Sequence, residues 1–330
     1  FFVEKKSLGN KFRGKKWLSV ASELHYGDDK IEQAWQQANK VMGCDISLLI
    51  LGETGVGKGE FVKALHKHSA RNKQPLVTVN CGALPKDLIE SELFGHASGA
   101  FTGANKQGYC GRIRQADKGI LFLDEIGEMP LDAQCRLLTV LQDKIVMPVG
   151  SAQSYKVDIQ VIAATHQELT QLVAEGRFRQ DLYYRLNGLV VSLPSLYQRE
   201  DKLAIIHAIH AKHQQNGQRI TSSLIQSLLR YRWPGNLREL DNLLKVTCLI
   251  ASDVSEIGIE HVPSHFAQPL REVASESEIE TLDLKSTLNS ALIDTYHTHN
   301  GNVSKVSRVL GVSRNTVYRK LKALGLIKMK

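Results

Sequence analysis

The chain has 330 residues, of which 42% are hydrophobic and 23% are charged, and this globular composition excludes wholesale disorder. No apolar run is long enough to cross a bilayer and no signal peptide is visible, so we expect a cytoplasmic protein without a membrane partner. The five cysteines are scattered without a CxxC pair, which predicts reduced thiols and neither a disulfide framework nor a zinc site.

The net charge of +8 is concentrated near the carboxyl end of the sequence. Residues 285–330 contain nine Lys or Arg residues and one acid, Asp294, which together equal the net charge of the whole chain. A basic segment of this kind favours contact with nucleic-acid phosphates, although a solvated basic face would show the same charge.

Residues 1–26 combine a basic run with the aromatic residues Phe1, Phe2, Phe12 and Trp17. We interpret this stretch as a connector or as the remnant of an upstream module. From Asp28 to Met42 apolar residues recur at helical spacing, which predicts a leading helix.

A glycine-rich loop follows the apolar run from Leu48 to Leu51. Its glycines let backbone N–H groups point at an anion, and Lys58 supplies a positive charge toward the β/γ-phosphates. The helix predicted from Lys58 to His68 directs its N-terminal dipole at the same anion. The alternative is an ordinary glycine-rich surface turn. The predicted nucleotide-binding residues are Gly52, Glu53, Thr54, Gly55, Val56, Gly57, Lys58 and Gly59.

A second half of the site is predicted where an apolar strand ends in Asp124 and Glu125. Buried carboxylates are costly unless they meet a cation. In a P-loop ATPase the first acid helps to hold Mg²⁺ and the second polarises the attacking water, so we assign Asp124 to the metal and Glu125 to the water. The alternative is a strand whose polar end simply reaches solvent.

The remaining pattern predicts an α/β fold in which a parallel sheet carries helices on both faces. Further strands are expected at Leu76 to Asn80, Val157 to Thr165 and Leu189 to Leu193, and a helix at Leu131 to Gln142. Strand signals end after Pro194. Helices are then expected at Arg199 to Gln215, Thr221 to Tyr231 and Asn236 to Ser252, and they form a lid on the α/β core.

The last segment predicts a small all-α helix-turn-helix domain. A helix face from Leu284 to Tyr296, a second helix from Val303 to Leu310 and a turn at Gly311 precede a third helix that Ser313 can cap. Val317, Leu321 and Leu324 are expected to face inward on the third helix. The expected DNA-binding residues are Ser313, Arg314, Asn315, Thr316, Tyr318, Arg319 and Lys322, although a plain three-helix dimerisation unit is the alternative.

Several ordered motifs resemble one family. They are ELFGH from Glu92, GAFTGA from Gly99, the segment from Gly119 to Pro130, RFRQDLYYRLN from Arg177 and WPGNLREL from Trp233. The stretch from about Asp28 to Phe266 resembles the central AAA+ domain of the sigma-54-dependent activators, or bacterial enhancer-binding proteins. The end of the chain resembles their Fis-type module, and the similarity leans toward activators of the acetoin catabolism type. We therefore expect an AAA+ core at 27–194, a helical lid at 195–266 and a helix-turn-helix domain at 284–330. Residues 267–283 contain Pro269, several acids and few apolar residues, which predicts a linker.

The resemblance also implies roles for particular residues. The loop Gly99, Ala100, Phe101, Thr102, Gly103 and Ala104 would touch sigma-54, whereas without the resemblance it could be an ordinary turn. Asn80 would partner Glu125 in a nucleotide-sensitive switch, and Thr165, followed by His166, matches a sensor. Arg179 and Arg185 match arginine fingers that reach the neighbouring subunit, and Arg238 matches a second sensor. The alternative for either finger is a surface salt bridge to Asp181.

Two positions depart from the family pattern. Gly59 stands where many P-loops carry a hydroxyl and this family commonly carries Glu, so the loop offers Mg²⁺ no side-chain oxygen there. Arg114 replaces an acid that many relatives carry after the GAFTGA loop.

The function that the resemblance implies is ATP-driven transcription activation in a bacterial cytoplasm. The chain would bind upstream double-stranded DNA as a dimer, assemble a homo-oligomeric ring, a hexamer as in the family, and use ATP with Mg²⁺ to remodel the sigma-54 RNA polymerase holoenzyme. One rival is a DNA-binding regulator whose ATPase domain serves assembly alone. Another is an AAA+ remodeller of a different protein, which leaves the basic C-terminal unit unexplained.

Overall fold

The computed structural model describes residues 26–100, 107–271, 292, 295, 296, 298, 299, 302–309 and 311–323. These residues form two compact units. The first contains the described residues of Phe1–Gln218 together with Arg232–Asp253, and the second contains Arg219–Tyr231 with the described residues of Val254–Lys330. The domain boundaries expected from the sequence remain predictions.

Helices and strands alternate along most of the chain, and they belong to both units. In chain order the elements are α1 (Asp29–Val41), β1 (Leu48–Leu51), α2 (Lys58–His68), β2 (Leu76–Asn80), α3 (Lys86–Phe94), α4 (Arg112–Gln115), β3 (Ile120–Asp124), α5 (Leu131–Asp143), β4 (Ile145–Val146), β5 (Tyr155–Lys156), β6 (Gln160–Thr165), α6 (Leu169–Ala174), α7 (Gln180–Leu186), β7 (Leu189–Ser192), α8 (Lys202–His213), β8 (Arg219–Ile220), α9 (Ser222–Arg230), α10 (Asn236–Ile250) and β9 (Glu256–Ile257). Residues 264–271 are helical, and the helices Val303–Val309 and Arg314–Ala323 lie near the carboxyl end.

A parallel sheet of five strands in the order β2-β3-β6-β1-β7 forms the centre of the first unit. Its three central strands, β3, β6 and β1, are almost fully buried because helices cover both sides. Leu48 and Ile50 pack with Trp35 of α1 and Phe61 of α2. Leu49 points to the opposite face and belongs to the core that α3 and α5 cover. The predicted sheet with helices on both faces is confirmed.

The register of the sheet brings the predicted site together at one edge. Leu51 at the end of β1 pairs with Thr165 at the end of β6. Asn80 at the end of β2 pairs with Asp124 at the end of β3. Because the strands are parallel, their carboxyl ends meet at the same edge, which is where ligands bind in open α/β sheets.

Two of the strand predictions are wrong. Strand β6 begins at Gln160 and not at Val157, because the preceding residues Tyr155–Lys156 pair with Ile145–Val146 in an antiparallel hairpin. Strand pairing also continues after Pro194: β8 and β9 form a parallel pair in the second unit. Each of these two strands has two residues, which is too short to show an alternating apolar pattern.

The second unit contains the helical core that the sequence predicts near the carboxyl end. Leu292, Val303, Val306, Val317 and Leu321 are buried in one cluster. Gly311 has a φ of +65° in the turn between the two helices. The Ser313 hydroxyl accepts the Thr316 backbone N–H at 3.2 Å, which confirms the predicted helix cap. Leu284, Leu310 and Leu324 lie outside the described residues.

Within the described part of the chain, none of the helices combines the length and the apolar character that a membrane crossing needs.

Candidate functional site

A cleft of about 780 Å³ opens at the carboxyl edge of the sheet. It collects residues from the loop after β1, the ends of β2, β3 and β6, and the start of α10. Its lining includes Thr54, Gly55, Val56, Gly57, Lys58, Gly59, Asn80, Asp124, Glu125, His166, Leu193, Arg199, Arg238 and Asp241. The cleft therefore unites the glycine-rich loop with the paired carboxylates, as the sequence predicts.

The loop between β1 and α2 needs glycine for two reasons. Gly55 and Gly57 have φ values of +82° and +99°, in the left-handed region that other residues rarely adopt. A Cβ at Gly55 would also lie 2.3 Å from the carbonyl oxygen of Gly235. By contrast, a Cβ at Gly59 would meet nothing within 4 Å.

Lys58 is held inside this loop by backbone carbonyls. Its Nζ donates to the carbonyl oxygens of Gly52 at 2.9 Å and Glu53 at 3.3 Å, and it lies 3.5 Å from Glu125 Oε1. The side chain is only 6% exposed, at the N-terminus of α2. Gly52 and Glu53 thus act by holding the lysine, whereas the residues from Thr54 to Gly59 line the cleft.

Asp124 is a carboxylate in an environment that disfavours its charge. Burial and, to a smaller extent, the charge of Glu125 raise the pKa of Asp124, against the opposing effect of Lys58 and Arg238. Its Oδ1 accepts the Glu125 backbone N–H at 3.1 Å. A bound cation would relieve this penalty, so the residue fits a Mg²⁺ ligand.

Mg²⁺ would share its coordination with phosphates and water. Among the described residues no group of three or more His, Cys, Asp or Glu side chains could hold a metal ion. Gly59 carries no side-chain oxygen, and the neighbouring Glu60 pairs with Lys63 at 2.7 Å. Such sparse protein ligation is usual for Mg²⁺ that arrives with a nucleotide.

Glu125 follows β3 in a left-handed backbone conformation, with a φ of +50°. Its side chain is 17% exposed and contacts two positively polarised groups. Oε1 faces Lys58, and Oε2 lies 2.7 Å from Nδ1 of His166. Left-handed conformations of residues other than glycine persist where surrounding structure imposes them, often at functional sites.

Asn80 and Thr165 lie at the same edge of the sheet but have other partners. Asn80 lines the cleft, and its Oδ1 accepts the backbone N–H groups of Gly82 at 2.9 Å and Ala83 at 3.0 Å. Thr165 is fully buried and its hydroxyl accepts the Gln167 N–H at 3.0 Å. The side chain after β6 that enters the cleft is His166. The roles expected for Asn80 and Thr165 stay predictions.

The contact of His166 with Glu125 was missed by the sequence analysis, which named His166 only as the neighbour of Thr165. A signal was available. His166 directly follows a strand that is central in the sheet, and the ends of parallel strands converge.

The WPGN turn before α10 is tied to the phosphate-binding loop, a link that the sequence analysis also missed. Asn236 is fully buried, and its Nδ2 donates to Glu53 Oε2 and to the Thr54 carbonyl, each at 3.0 Å. Its Oδ1 accepts the Leu196 N–H at 2.8 Å. The Leu237 N–H donates to the Gly55 carbonyl at 3.0 Å. These bonds place Arg238, on the first turn of α10, in the cleft.

The two candidate arginine fingers lie elsewhere on the first unit. Arg179 forms a two-pronged ion pair with Asp181 at 3.0 and 2.7 Å, so the salt bridge considered as its alternative is present. Arg185 donates to the Leu141 carbonyl at 3.0 Å. Among the described residues that line the cleft, neither arginine is found. Both positions are compatible with a contact to another subunit.

Gln134 connects the segment before α7 to helix α5. It is fully buried, and its Nε2 donates to the Met129 and Arg177 carbonyls at 2.7 and 3.1 Å. Its Oε1 accepts the Arg179 N–H at 2.8 Å. The backbone around Arg179 is therefore fixed to the segment that follows Glu125.

Two residues of the GAFTGA motif lie within the described chain. Gly99 has a φ of +70°, and a Cβ at Gly150 would lie 2.8 Å from the Cβ of Ala100. The base of this loop therefore touches the turn between β4 and β5. Phe101, Thr102, Gly103 and Ala104 lie outside the described residues.

Arg114, the second departure from the family pattern, stacks on Tyr155. Its guanidinium carbon lies 3.6 Å from the ring centroid. This contact joins α4 to β5.

The helix Arg314–Ala323 exposes most of the residues that the sequence assigns to DNA. Arg314, Asn315, Tyr318 and Arg319 are exposed, as is the capping residue Ser313, while Thr316 is half-buried. The side chain of Lys322 lies outside the described residues. The exposed set places two cations and an amide on one helix of the second unit.

This arrangement defines a class of protein. A parallel sheet with a glycine-rich loop after its first strand, paired acids at the end of a neighbouring strand and an arginine contributed by a later helix is the architecture of a P-loop nucleotide-binding protein.

Comparison with family models gives the particular family. The model described as the sigma-54 interaction domain matches residues 24–192. The AAA+ ATPase lid domain matches residues 199–279, and the bacterial regulatory proteins of the Fis family match residues 291–324. The chain belongs to the family of proteins that carry the sigma-54 interaction domain, and the resemblance found in the sequence is confirmed.

The sequence similarity to known regulators covers most of this chain. The acetoin catabolism regulatory protein of Cupriavidus necator is 43% identical over 91% of this chain and 46% of its own length. The DNA-binding transcriptional regulator NtrC of Escherichia coli is 40% identical over 89% of this chain and 69% of its own length. A crystal structure of NtrX from Brucella abortus in complex with ATP has a TM-score of 0.69 and 28% identity, covering 91% of this chain and 69% of that one. The chain thus spans between about half and two thirds of the length of the two regulators.

Proposed function

We propose that this chain is the ATP-hydrolysing and DNA-binding portion of a cytoplasmic sigma-54-dependent transcription activator. The observation that carries the proposal is the convergence of Lys58, Asp124 and Glu125 in one cleft, in a chain of the sigma-54 interaction family. The exposed basic helix of the second unit supports contact with DNA.

The cleft supports a direct hydrolytic mechanism. The phosphates bind in the loop from Thr54 to Gly59, and Lys58 leaves Glu125 to pair with the β/γ-phosphate oxygens. Glu125 accepts a proton from water as the water oxygen bonds to the γ-phosphorus. The bond from that phosphorus to the bridging oxygen breaks, and its electron pair stays with ADP. Asp124 would hold Mg²⁺, which would supply neutralisation of the charge on the phosphates.

The arginine fingers make hydrolysis depend on assembly. Arg179 and Arg185 lie away from the cleft of their own chain, so each can serve a neighbour in a ring. A guanidinium supplied by another subunit stabilises charge that develops in the transition state. We propose a homo-oligomeric ring, a hexamer by resemblance to the family, whose GAFTGA loops contact sigma-54.

The first test is co-purification of the chain with sigma-54 in the presence of ATP, ADP, or ADP with aluminium fluoride, together with promoter opening on a sigma-54 template. Binding with the transition-state mimic and ATP-driven opening is the expected result. Thr102→Ala should hydrolyse ATP and fail to open the promoter. Robust hydrolysis without sigma-54 binding would favour a ring that works on another partner.

The DNA contact is tested separately. Arg319→Ala should weaken binding to a cognate upstream duplex and reduce the slope of its salt dependence, with an unchanged ATPase rate in the absence of DNA. The matched control is Arg232→Ala, which removes the same charge from an exposed position in the first unit. Equal affinity of the Arg319 variant and the unsubstituted chain would move the contact elsewhere.

A further inference from the structure

We infer that His166 is the positioning residue for the water-activating carboxylate: its Nδ1 holds Glu125 Oε2 so that Oε1 is presented to the attacking water. The inference rests on the proposed hydrolysis of ATP with Glu125 as the base. It assigns to a histidine the partnership with Glu125 that the family resemblance implies for Asn80.

The two oxygens of Glu125 have different partners. Oε2 lies 2.7 Å from His166 Nδ1, whereas Oε1 lies 3.5 Å from Lys58 Nζ. Because a carboxylate oxygen accepts, Nδ1 is the protonated nitrogen of the ring in this contact. A separation of 2.7 Å is typical of a strong charge-assisted hydrogen bond, and 3.5 Å is at the limit of a weak one. His166 therefore determines the orientation of the carboxylate.

The contact of Glu125 with Lys58 and its contact with His166 respond differently when a nucleotide binds. Lys58 is the side chain that the β/γ-phosphates attract, so Oε1 loses its partner when ATP arrives. His166 lies on a turn that hydrogen bonds within the chain hold in place, and neither bond involves the Lys58 side chain. The Thr165 hydroxyl accepts the Gln167 N–H at 3.0 Å, and the Thr165 carbonyl accepts the Gly52 N–H at 3.2 Å. Binding of ATP thus frees one oxygen while the other stays held.

The surroundings of Glu125 make such a holder necessary. The residue has a left-handed backbone and its side chain is 17% exposed at the rim of an open cleft. The amide oxygen of Asn80, at the end of β2, accepts from Gly82 and Ala83, whereas the ring nitrogen of His166 contacts Glu125 Oε2 directly. A general base that is oriented by a third group is a recurring arrangement in catalysis, because the fixed geometry lowers the cost of reaching the transition state.

The test compares three substitutions at one position. His166→Ala removes the donor and should lower kcat about tenfold to a hundredfold, with KM for ATP within about twofold of the unsubstituted value. His166→Asn places an amide N–H close to the former Nδ1 and should recover most of the activity. His166→Gln places its amide near the former Nε2 and should not. His207→Ala, at an exposed position on α8, is the matched control and should leave kcat unchanged.

The outcomes separate this inference from the proposed function. If the unsubstituted chain hydrolyses ATP and His166→Ala does so equally well, only the role of His166 is overturned. A faster His166→Ala variant would show that the histidine restrains Glu125, and equal losses for Asn and Gln would show that it only packs. No turnover in the unsubstituted chain would overturn the proposed function, and the role of His166 with it. ADP affinity measured by calorimetry checks that each variant retains a folded cleft.

Discussion

The ionised Asp124 carboxylate lowers the stability of the folded protein, while its charge serves the proposed binding of Mg²⁺. Burial and the neighbouring Glu125 raise the pKa of Asp124, so the folded state binds the proton more tightly than the unfolded chain does. Ionisation at neutral pH therefore lowers the free energy of unfolding. This loss is absent below the ordinary pKa of an aspartate and develops as the pH rises through the raised value.

We predict that Asp124→Asn raises the melting temperature of the nucleotide-free protein at neutral pH and abolishes hydrolysis. The amide keeps the shape of the side chain but has no charge to bury. The gain in melting temperature should disappear at acidic pH, where Asp124 is itself protonated. Asp132→Asn is the control, because this carboxylate is exposed in the first turn of α5 and should give no gain. Calorimetric melting that showed a lower stability for Asp124→Asn would contradict the argument.

Two glycines of one loop should respond in opposite ways to the same substitution. Gly55→Ala forces a Cβ toward the Gly235 carbonyl at a φ of +82°, and such strain costs about 1–3 kcal/mol. Gly59→Ala meets open space within helix α2, where alanine is favoured over glycine by about 0.5–1 kcal/mol. We expect the first variant to melt earlier and to lose ATP affinity by about fivefold to a hundredfold, since 1.4 kcal/mol is a factor of ten. The second should melt later and bind ATP normally, as measured by thermal melting and calorimetric titration.

At this scale the sequence predicts residues whose role depends on local spacing and misses those whose role depends on distant contacts. The loop glycines and Lys58 are adjacent in the sequence, and Asp124 and Glu125 are adjacent at the end of β3, so each of the two groups is recognised without knowledge of packing. The bond between His166 and Glu125 joins residues 41 positions apart. It exists only because β3 and β6 are neighbours in the sheet.

Among the elements, the WPGN turn and the phosphate-binding loop of the first unit are held together by one buried side chain, that of Asn236. Asn236 supplies three hydrogen bonds from one buried side chain, in a left-handed conformation with a φ of +53°. Asn tolerates that conformation better than most residues, and its amide both donates and accepts. The residue therefore meets a backbone requirement and a bonding requirement together.

We predict that Asn236→Gly lowers both the melting temperature and the affinity for ATP. Glycine tolerates the backbone conformation, so the loss reports the side-chain bonds, and each buried group left without a partner costs about 1–3 kcal/mol. Asn216→Gly is the matched control, because Asn216 has a φ of +52° at an exposed position. Equal effects of the two substitutions in thermal melts and ATP titrations would assign the change to the backbone and contradict a link through the Asn236 side chain.

The elements themselves were predictable to the extent that they are long and periodic. Helix α2 and the strands β1 and β2 have the predicted bounds, because continuous apolar runs and loop residues mark their ends. The pairs β4 with β5 and β8 with β9 were not predicted, since two residues carry no periodic signal and pairing depends on the rest of the fold.

At the scale of the whole molecule, the candidate arginines lie away from the cleft of their own chain, so we expect ATP hydrolysis to depend on assembly. We predict that Glu125→Gln and Arg185→Ala are each inactive alone and that mixing the two restores part of the ATPase activity. In a mixed ring, a protomer with an intact Glu125 can receive an intact Arg185 from its neighbour. Turnover measured over mixing ratios should peak near equal amounts. Arg179→Ala is mixed with Glu125→Gln in the same way. If neither mixture regains ATPase activity, the arginines do not act in the site of the neighbouring subunit.

Gln134 has a consequence for how such a ring would work. Its three hydrogen bonds tie the backbone at Arg177 and Arg179 to the stretch that follows Glu125, so a displacement beside the proposed base would also shift the cation that a protomer would offer to its neighbour. In the proposed ring, a change at one site would reach the next as a displaced guanidinium. ATP hydrolysis would then proceed from one protomer to the next around the ring, in a direction set by the handedness of the assembly.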